Sequence, residues 1–299
     1  MTNLIGFCAD GPPRDERAIS VGGVRFDIGA PTFRWNNPKG FNGYMTERCE
    51  VKVEDRKTGK VTTKVIKGKR YSKRPGDSLA AISQIMIHHS GGDGKNPSGM
   101  FETLWRQRGL SVHFAVEDDG RIFQFLDAGV KAWHGGSSND ISVGIECCLV
   151  PSADDHPDAY SAANCKRTGN LPHDKAQEVL QGIRRTVYVM PSPQVEALAR
   201  LCAGLWSAIR WFANGGDTGI VNASVAQEFS ADPRFPRILG APAGEDVPTH
   251  VIAAPTQHVG LIGHLHYTDQ KWDPAGLSWY ALEGLVAARC LEFRAATEV

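Results

Sequence analysis

From Gln84 onward, short apolar runs alternate with helical repeats, and this alternation constrains the fold more than any other feature of the chain. Gln84-Ile-Met-Ile-His-His has a buried-strand pattern, and Gly120-Arg-Ile-Phe-Gln-Phe, Ile141-Ser-Val-Gly-Ile-Glu-Cys-Cys-Leu-Val and Val259-Gly-Leu-Ile-Gly-His extend the same sheet. Val195, Leu198, Cys202, Leu205, Ile209 and Phe212 recur at three- and four-residue steps with the charges on the other side, which predicts a helix covering one face of that sheet. A shorter helix is expected over Ser98 to Arg108, with Ser98 as cap and Gly109 as stop, and a C-terminal helix from about Leu277 to Arg294. The expected class is α/β, with a mixed central β-sheet flanked by helices.

Before Pro75 the text is shorter in rhythm and rich in turn residues. Ala18-Ile-Ser-Val, Gly22-Gly23 and Val24-Arg-Phe-Asp-Ile read as one hairpin; Cys49-Glu-Val-Lys-Val and Val61-Thr-Thr-Lys-Val-Ile read as a second. From Lys52 to Arg74 the second hairpin and its tail carry Lys52, Arg56, Lys57, Lys60, Lys64, Lys67, Lys69, Arg70, Lys73 and Arg74 against only Glu54 and Asp55. Two readings fit such a run: a solvated face, or contact with an anionic polymer. The expected organisation is a β-rich extension over 1–77, with a wall-binding role in view, followed by a catalytic domain over 78–299. Two stretches dense in Pro, Gly, Asn, Asp and Ser, at about 151–191 and 214–257, read as inserts on that domain.

Charge and cysteine usage exclude several classes. Lys plus Arg number 33 and Asp plus Glu also 33, so no global field captures nucleic acid or anionic membrane, and neither partner is expected. The most membrane-like window, Val195 to Ala213, contains Glu196, Arg200 and Arg210 and is not a spanning segment. Seven cysteines without C-x-x-C spacing argue against a disulfide framework and a Cys-only zinc knuckle, leaving reduced thiols in a protein made in the cytoplasm. The first residues, MTNLIGFCADGPPRDER, lack a basic n-region, so no secretory signal is expected, and a target outside the cytoplasm requires another route of delivery.

Ten histidines draw attention by position rather than number. His88 and His264 each end an apolar strand, and Asp273 follows His264 by nine residues through a loop containing Lys271. Two imidazoles and a carboxylate from separate strand ends can make a three-ligand zinc site with water in the fourth position. Zinc lowers the pKa of such a water from 15.7 to about 7. Spacing alone leaves satisfied structural histidines as the other reading. Adjacent strand residues point to opposite faces, so at most one of His88 and His89 should aim at the site. His264-x-His266 keeps a two-histidine arrangement as a rival, although Tyr267-Thr-Asp-Gln argues for a loop there. His113 is expected to be a hydrogen-bonded core residue, and His156, His173, His250 and His258 receive no role.

Five pieces occur in a fixed order: Ile85-Met-Ile-His-His-Ser, Ser111-Val-His-Phe-Ala-Val-Glu-Asp-Asp-Gly-Arg-Ile-Phe-Gln, Ala132-Trp-His-Gly-Gly, Ser142-Val-Gly-Ile-Glu, and Gly263-His with Lys271-Trp-Asp-Pro. Together they resemble the zinc-dependent N-acetylmuramoyl-L-alanine amidases of type 2, a family that includes peptidoglycan recognition proteins and some phage lysozymes. The resemblance spans about Ile82 to Tyr280 and is interrupted by both inserts. It implies one Zn2+ ion on His88, His264 and Asp273, with Glu146 as the acid–base residue and Lys271 stabilising the oxyanion. It also places Trp133 and His134 near the substrate cleft.

The implied substrate is peptidoglycan or a muropeptide, cut between N-acetylmuramic acid and L-alanine. The lack of a signal sequence fits a phage lysis enzyme, a secretion-system effector and a cytosolic muropeptide-recycling amidase alike, and the basic hairpin turns the reading toward a lytic, endolysin- or effector-like enzyme; a non-catalytic muropeptide binder and a metallohydrolase acting on another amide are the other readings. An Asp at the third ligand position resembles the bacterial amidases, since recognition proteins and phage lysozymes more often place a Cys there. The family has a short connection after its glutamate strand, whereas about forty residues intervene here.

Overall fold

Burying an apolar run obliges its backbone N–H and C=O groups to pair, and these runs pair with one another. The structure, a computed structural model, describes residues 4–6, 14–47, 49–54, 58–66, 68–74, 79–91, 96–213, 215 and 248–297. The expected boundary at 77/78, most of the second insert (216–247), Arg56, Lys57 and Lys67 lie outside the described residues.

The first part of the chain supplies β1 (Leu4–Gly6), β2 (Ala18–Val21), β3 (Val24–Asp27), β4 (Thr32–Arg34), β5 (Cys49–Glu54), β6 (Val61–Ile66) and β7 (Tyr71–Ser72). The expected hairpins are the antiparallel pairs β2–β3 and β5–β6. There follow β8 (Gln84–His89), β9 (Phe114–Val116), β10 (Ile122–Gln124), β11 (Lys131–Ala132), β12 (Ser142–Cys147), β13 (Lys175–Leu180), β14 (Ile183–Tyr188) and β15 (Gly260–Gly263). Six strands form the central sheet in the order β15-β8-β12-β9-β10-β4. Its pairs are parallel except β9–β10, so the sheet is mixed.

The helices are α1 (Pro97–Phe101), α2 (Ala162–Thr168), α3 (Ser192–Ala213) and α4 (Trp279–Thr297). On α3 the predicted stripe faces the sheet: Leu198, Cys202, Leu205 and Ile209 are buried and Val195 and Phe212 half-buried, packing together with Leu201 and with Leu282, Val286 and Cys290 of α4. Each such aliphatic side chain contributes about 1.5–3 kcal/mol. The opposite face is covered by Met100, Phe101, Leu104 and Trp105. The sheet is therefore flanked by helices on both sides. Among the described residues no helix is long and apolar enough to cross a membrane. Cys147, Cys148, Cys165, Cys202 and Cys290 are buried free thiols; the side chains of Cys8 and Cys49 lie outside the described residues.

Two features differ from expectation. The first helix is capped by Asn96, whose Oδ1 accepts the Gly99 N–H at 2.8 Å, and not by Ser98. Pro97 presets helical φ at the first helical position and pushes Asn96 into extended backbone, so the helix starts one residue before Ser98. Beyond Phe101 the helix widens to π geometry over Glu102–Arg108 and stops at Gly109, which adopts φ 64°. Residues 151–191, read as an insert, contain α2 and the β13–β14 hairpin.

The residues before 78 also share the main core. β4 is an outer strand of the central sheet, Ile19, Val21, Phe26 and Ile28 pack with α3, and Phe33, Phe41, Tyr44 and Tyr71 pack on the opposite cluster. Arg70 and Arg74, counted above with the basic run, are buried. Arg70 donates to the carbonyls of Gly68 and Glu47, and Arg74 to those of Asn139, Asp140, Ala128 and Ser142.

Candidate metal centre and cleft

Three neighbouring parallel strands, β15, β8 and β12, end on the same side of the sheet, which is where open α/β sheets place ligands. His88 sits near the end of β8, opposite Glu146 on β12. His264 follows β15 directly, in a short 3-10 turn. The loop after it returns Asp273 to the same point, its neck closed by the Leu265 N–H donating to the Asp273 carbonyl at 2.8 Å.

Asp273 Oδ2 lies 2.9 Å from His88 Nδ1 and 3.3 Å from His264 Nδ1. The ligand atoms these three side chains offer all lie within 4.8 Å of one another. Burial raises the Asp273 carboxyl, but hydrogen bonds from the two imidazoles outweigh it and hold the acid well below the usual carboxylate range. Burial lowers His88, with Asp273 opposing only in part, so its ring is neutral at physiological pH. Neutral imidazoles and an ionised carboxylate are the protonation states that metal ligation demands, and two imidazoles with one carboxylate suit zinc.

The doublets divide as strand geometry requires. His89 turns away, accepting the Ala275 N–H at 3.0 Å with its ring edge-on to Trp272. His266 accepts the Gly263 N–H at 2.9 Å and faces the Pro248 carbonyl at 2.8 Å, so the H-x-H arrangement does not form. His113 is a core residue, accepting the Gly144 N–H and facing the Val130 carbonyl.

Glu146 is buried, and its Oε2 has no hydrogen-bond partner among the described residues. Burial, with the nearby Asp273 charge adding, pushes its carboxyl up to about 8, against opposition from Arg108 and Lys271. Burying a carboxyl oxygen without a partner costs free energy, and this one stands beside the cluster of His88, His264 and Asp273.

These groups line a cleft of about 570 Å³. One wall is the π-helical turn, with Thr103, Leu104, Gln107 and Arg108. A second comes from the first insert, with Pro151, Ser152, Asp155 and His156, and a third is Gln270, Lys271 and Trp272. His134 lines the cleft and is bonded to His88. Trp133, expected as an apolar wall, is not among the lining residues; it is half-buried, and its N–H donates to Ser111 Oγ. Trp272 is the aromatic lining the cleft, with Arg185 over its ring. Sequence reasoning missed Arg108 and His156, and no local pattern marks either as a cleft residue.

Residues 78–234 match the N-acetylmuramoyl-L-alanine amidase family, which covers more than half of the chain, and the protein belongs to that family. No curated protein matches it by sequence. Similar solved structures include a selenomethionine derivative of AmpD (17% identity, covering 73% of this chain and 90% of that one, TM-score 0.36). AmpDH3 from Pseudomonas aeruginosa in complex with anhydromuramic pentapeptide is 15% identical over 69% of this chain and 60% of its own, TM-score 0.39. The Ph2119 endolysin of Thermus scotoductus MAT2119 bacteriophage Ph2119 is 15% identical over 69% of this chain and 84% of its own, TM-score 0.33.

Proposed function

We propose that this protein is a zinc-dependent hydrolase that cuts the amide between N-acetylmuramic acid and L-alanine in peptidoglycan. The observation that carries the reading is the convergence of His88, His264 and Asp273 beside the buried Glu146, whose Oε2 has no hydrogen-bond partner among the described residues. Zinc held by those three side chains would supply Lewis acidity and make a water acidic enough to attack near neutral pH.

The chain's own residues account for the proton and charge traffic. Glu146 takes a proton from the attacking water as its oxygen bonds to the lactyl carbonyl carbon. Lys271 offers its ammonium to the oxyanion that forms, a contact of a kind worth about 2.7–4 kcal/mol. Glu146 then returns the proton to the alanine nitrogen as the C–N bond breaks, leaving a carboxylate on the lactyl group and a free amine on the stem peptide. Leu104, Met100 and Trp272 line the cleft with apolar surface, and Arg108 places a cation where a peptide carboxylate can meet it.

The setting we propose is lytic. The basic β5–β6 hairpin suits the anionic polymer of a wall better than small recycled fragments. Purified sacculi incubated with the protein, with and without a chelator, test the reading. Chelator-sensitive release of free stem peptides beginning with L-alanine is expected; no release points to a binder, and release only at other amides points to a different hydrolase.

A further inference from the structure

The first insert contains a feature that its length alone does not suggest. β13 and β14 are joined by a two-residue turn, Gln181 and Gly182, with φ of 53° and 73°. Two left-handed residues in succession form the type of hairpin turn that favours Asn-Gly, and a glutamine in the first place is a conformational cost. What the glutamine gains is reach. Its Nε2 lies 2.6 Å from the Leu265 carbonyl, 3.2 Å from that of Thr268 and 3.1 Å from that of Lys271. All three carbonyls belong to the loop between His264 and Asp273, and all three turn inward onto one side-chain amide.

The surrounding contacts point the same way. The Gln181 N–H donates to the Thr249 carbonyl at 2.8 Å, and the Glu178 carboxylate accepts the Gly276 N–H at the far end of the loop. Leu180 and Val187 of the hairpin bury with Leu265 and Ala275 in a small apolar cluster apart from the two larger ones. Loops of this kind take their shape from whatever satisfies their carbonyls, because a buried carbonyl without a partner is expensive.

We infer that Gln181 is a positioning residue, and that the inserted hairpin is the template on which the loop carrying Lys271 and Asp273 is folded. The structural half of this inference stands without any metal. Its consequence for zinc and turnover rests on the proposed amidase reading.

Gln181→Asn separates a turn residue from a loop clamp. Asparagine suits the turn better than glutamine, but it is one methylene shorter and loses the reach to the three carbonyls. In the metal-free protein, hydrogen exchange at the Leu265 and Tyr267 amides is expected to accelerate about tenfold or more while the amides of α3 keep wild-type rates. In the zinc-loaded protein the metal dissociation constant should rise about 10- to 100-fold, with kcat falling more than KM changes. Gln181→Glu, which keeps the length but replaces the donor with an acceptor, should accelerate the same amides. Unchanged exchange in both variants overturns the inference. Acceleration spread evenly through α3 also overturns it, by making Gln181 a residue of general stability. A wild-type chain that takes up no zinc would sink the amidase reading, and the exchange comparison would then decide the role of Gln181 by itself.

Discussion

His134 Nδ1 lies 3.1 Å from His88 Nε2, at the back of the ring whose Nδ1 faces Asp273. The pairing would fix tautomers in a chain once a metal is bound. With a metal on His88 Nδ1 in place of the hydrogen bond to Asp273, the His88 proton would reside on Nε2 and be donated to His134 Nδ1. His134 then carries its own proton on Nε2, which faces Ser142 Oγ at 3.4 Å, and Ser142 Oγ donates to the Ser138 carbonyl at 2.7 Å. Gly144 makes room for this, since a Cβ there would stand 2.6 Å from His134 ring atoms. A ligand histidine held through its second nitrogen is better oriented and more basic.

The first prediction follows from that chain. His134→Phe should fold and keep the substrate KM within a few-fold, while zinc affinity falls about 10- to 100-fold. Competition with a chromogenic chelator measures it. A variant that binds zinc like the wild type but loses substrate affinity would return His134 to the cleft-facing role suggested by sequence.

Glu146 should make the metal-free protein pH-sensitive in a defined direction. Its carboxyl is raised from 4.5 to about 8, so the folded state holds the proton more tightly than the unfolded state. The stability this confers is complete below pH 4.5 and is lost as pH rises toward 8. The difference corresponds to about 5 kcal/mol. Glu146→Gln resembles the protonated form, so in excess chelator it should match wild type near pH 5 and exceed it near pH 9 in urea unfolding. Bound zinc favours the ionised carboxylate and should shrink the gap. The same variant should retain zinc yet lose turnover by about 10²- to 10⁴-fold; wild-type turnover would remove Glu146 from the chemistry.

Much of this arrangement is written locally and some is not. His88 and His264 are legible because each closes an apolar strand, and parallel strands bring such ends together. Glu146 is picked out in the sequence only by the family resemblance; the register that sets it beside His88 is a pairing of two distant strands that no local pattern prints. α3 shows itself through its repeat, which no tertiary contact has to supply. The inserted hairpin is illegible because residues 175–188 have a charged, partly exposed pattern and their partner loop lies more than eighty residues downstream. Counting charges also misleads at Arg70 and Arg74, because a guanidinium satisfied by carbonyls can be buried without an acidic neighbour in sequence.

Arg74 gives the third prediction. It is buried, its guanidinium is lowered to about 10 by that burial against the pull of Asp140 and Asp127, and it donates to four carbonyls. Arg74→Leu leaves those carbonyls unpaired and should cost about 3–5 kcal/mol in denaturant unfolding. Arg74→Lys, with a single point of charge, should recover only part of it. A loss under about 1 kcal/mol in the leucine variant would mean that the strap from the N-terminal region is dispensable.

The wall-contact proposal for the basic hairpin needs a variant gentler than truncation. Removing residues before 78 would strip β4 from the sheet and Ile19, Val21, Phe26 and Ile28 from the core, so affinity and hydrolysis would fall together through unfolding. Charge reversal on the hairpin avoids that: Lys52→Glu, Lys60→Glu and Lys64→Glu change a hairpin that pairs with itself and leaves the central sheet intact. If these lysines meet an anionic wall, the triple variant should bind sacculi about tenfold or more weakly at low salt, with the difference shrinking as ionic strength rises because salt screens the attraction between opposite charges. Hydrolysis of a soluble muropeptide should stay within about twofold of wild type, since among the described residues the hairpin lines no part of the cleft. Equal binding of wild type and variant across the salt series would leave the hairpin a solvated face, and equal loss on both substrates would place its charges in the working of the catalytic domain.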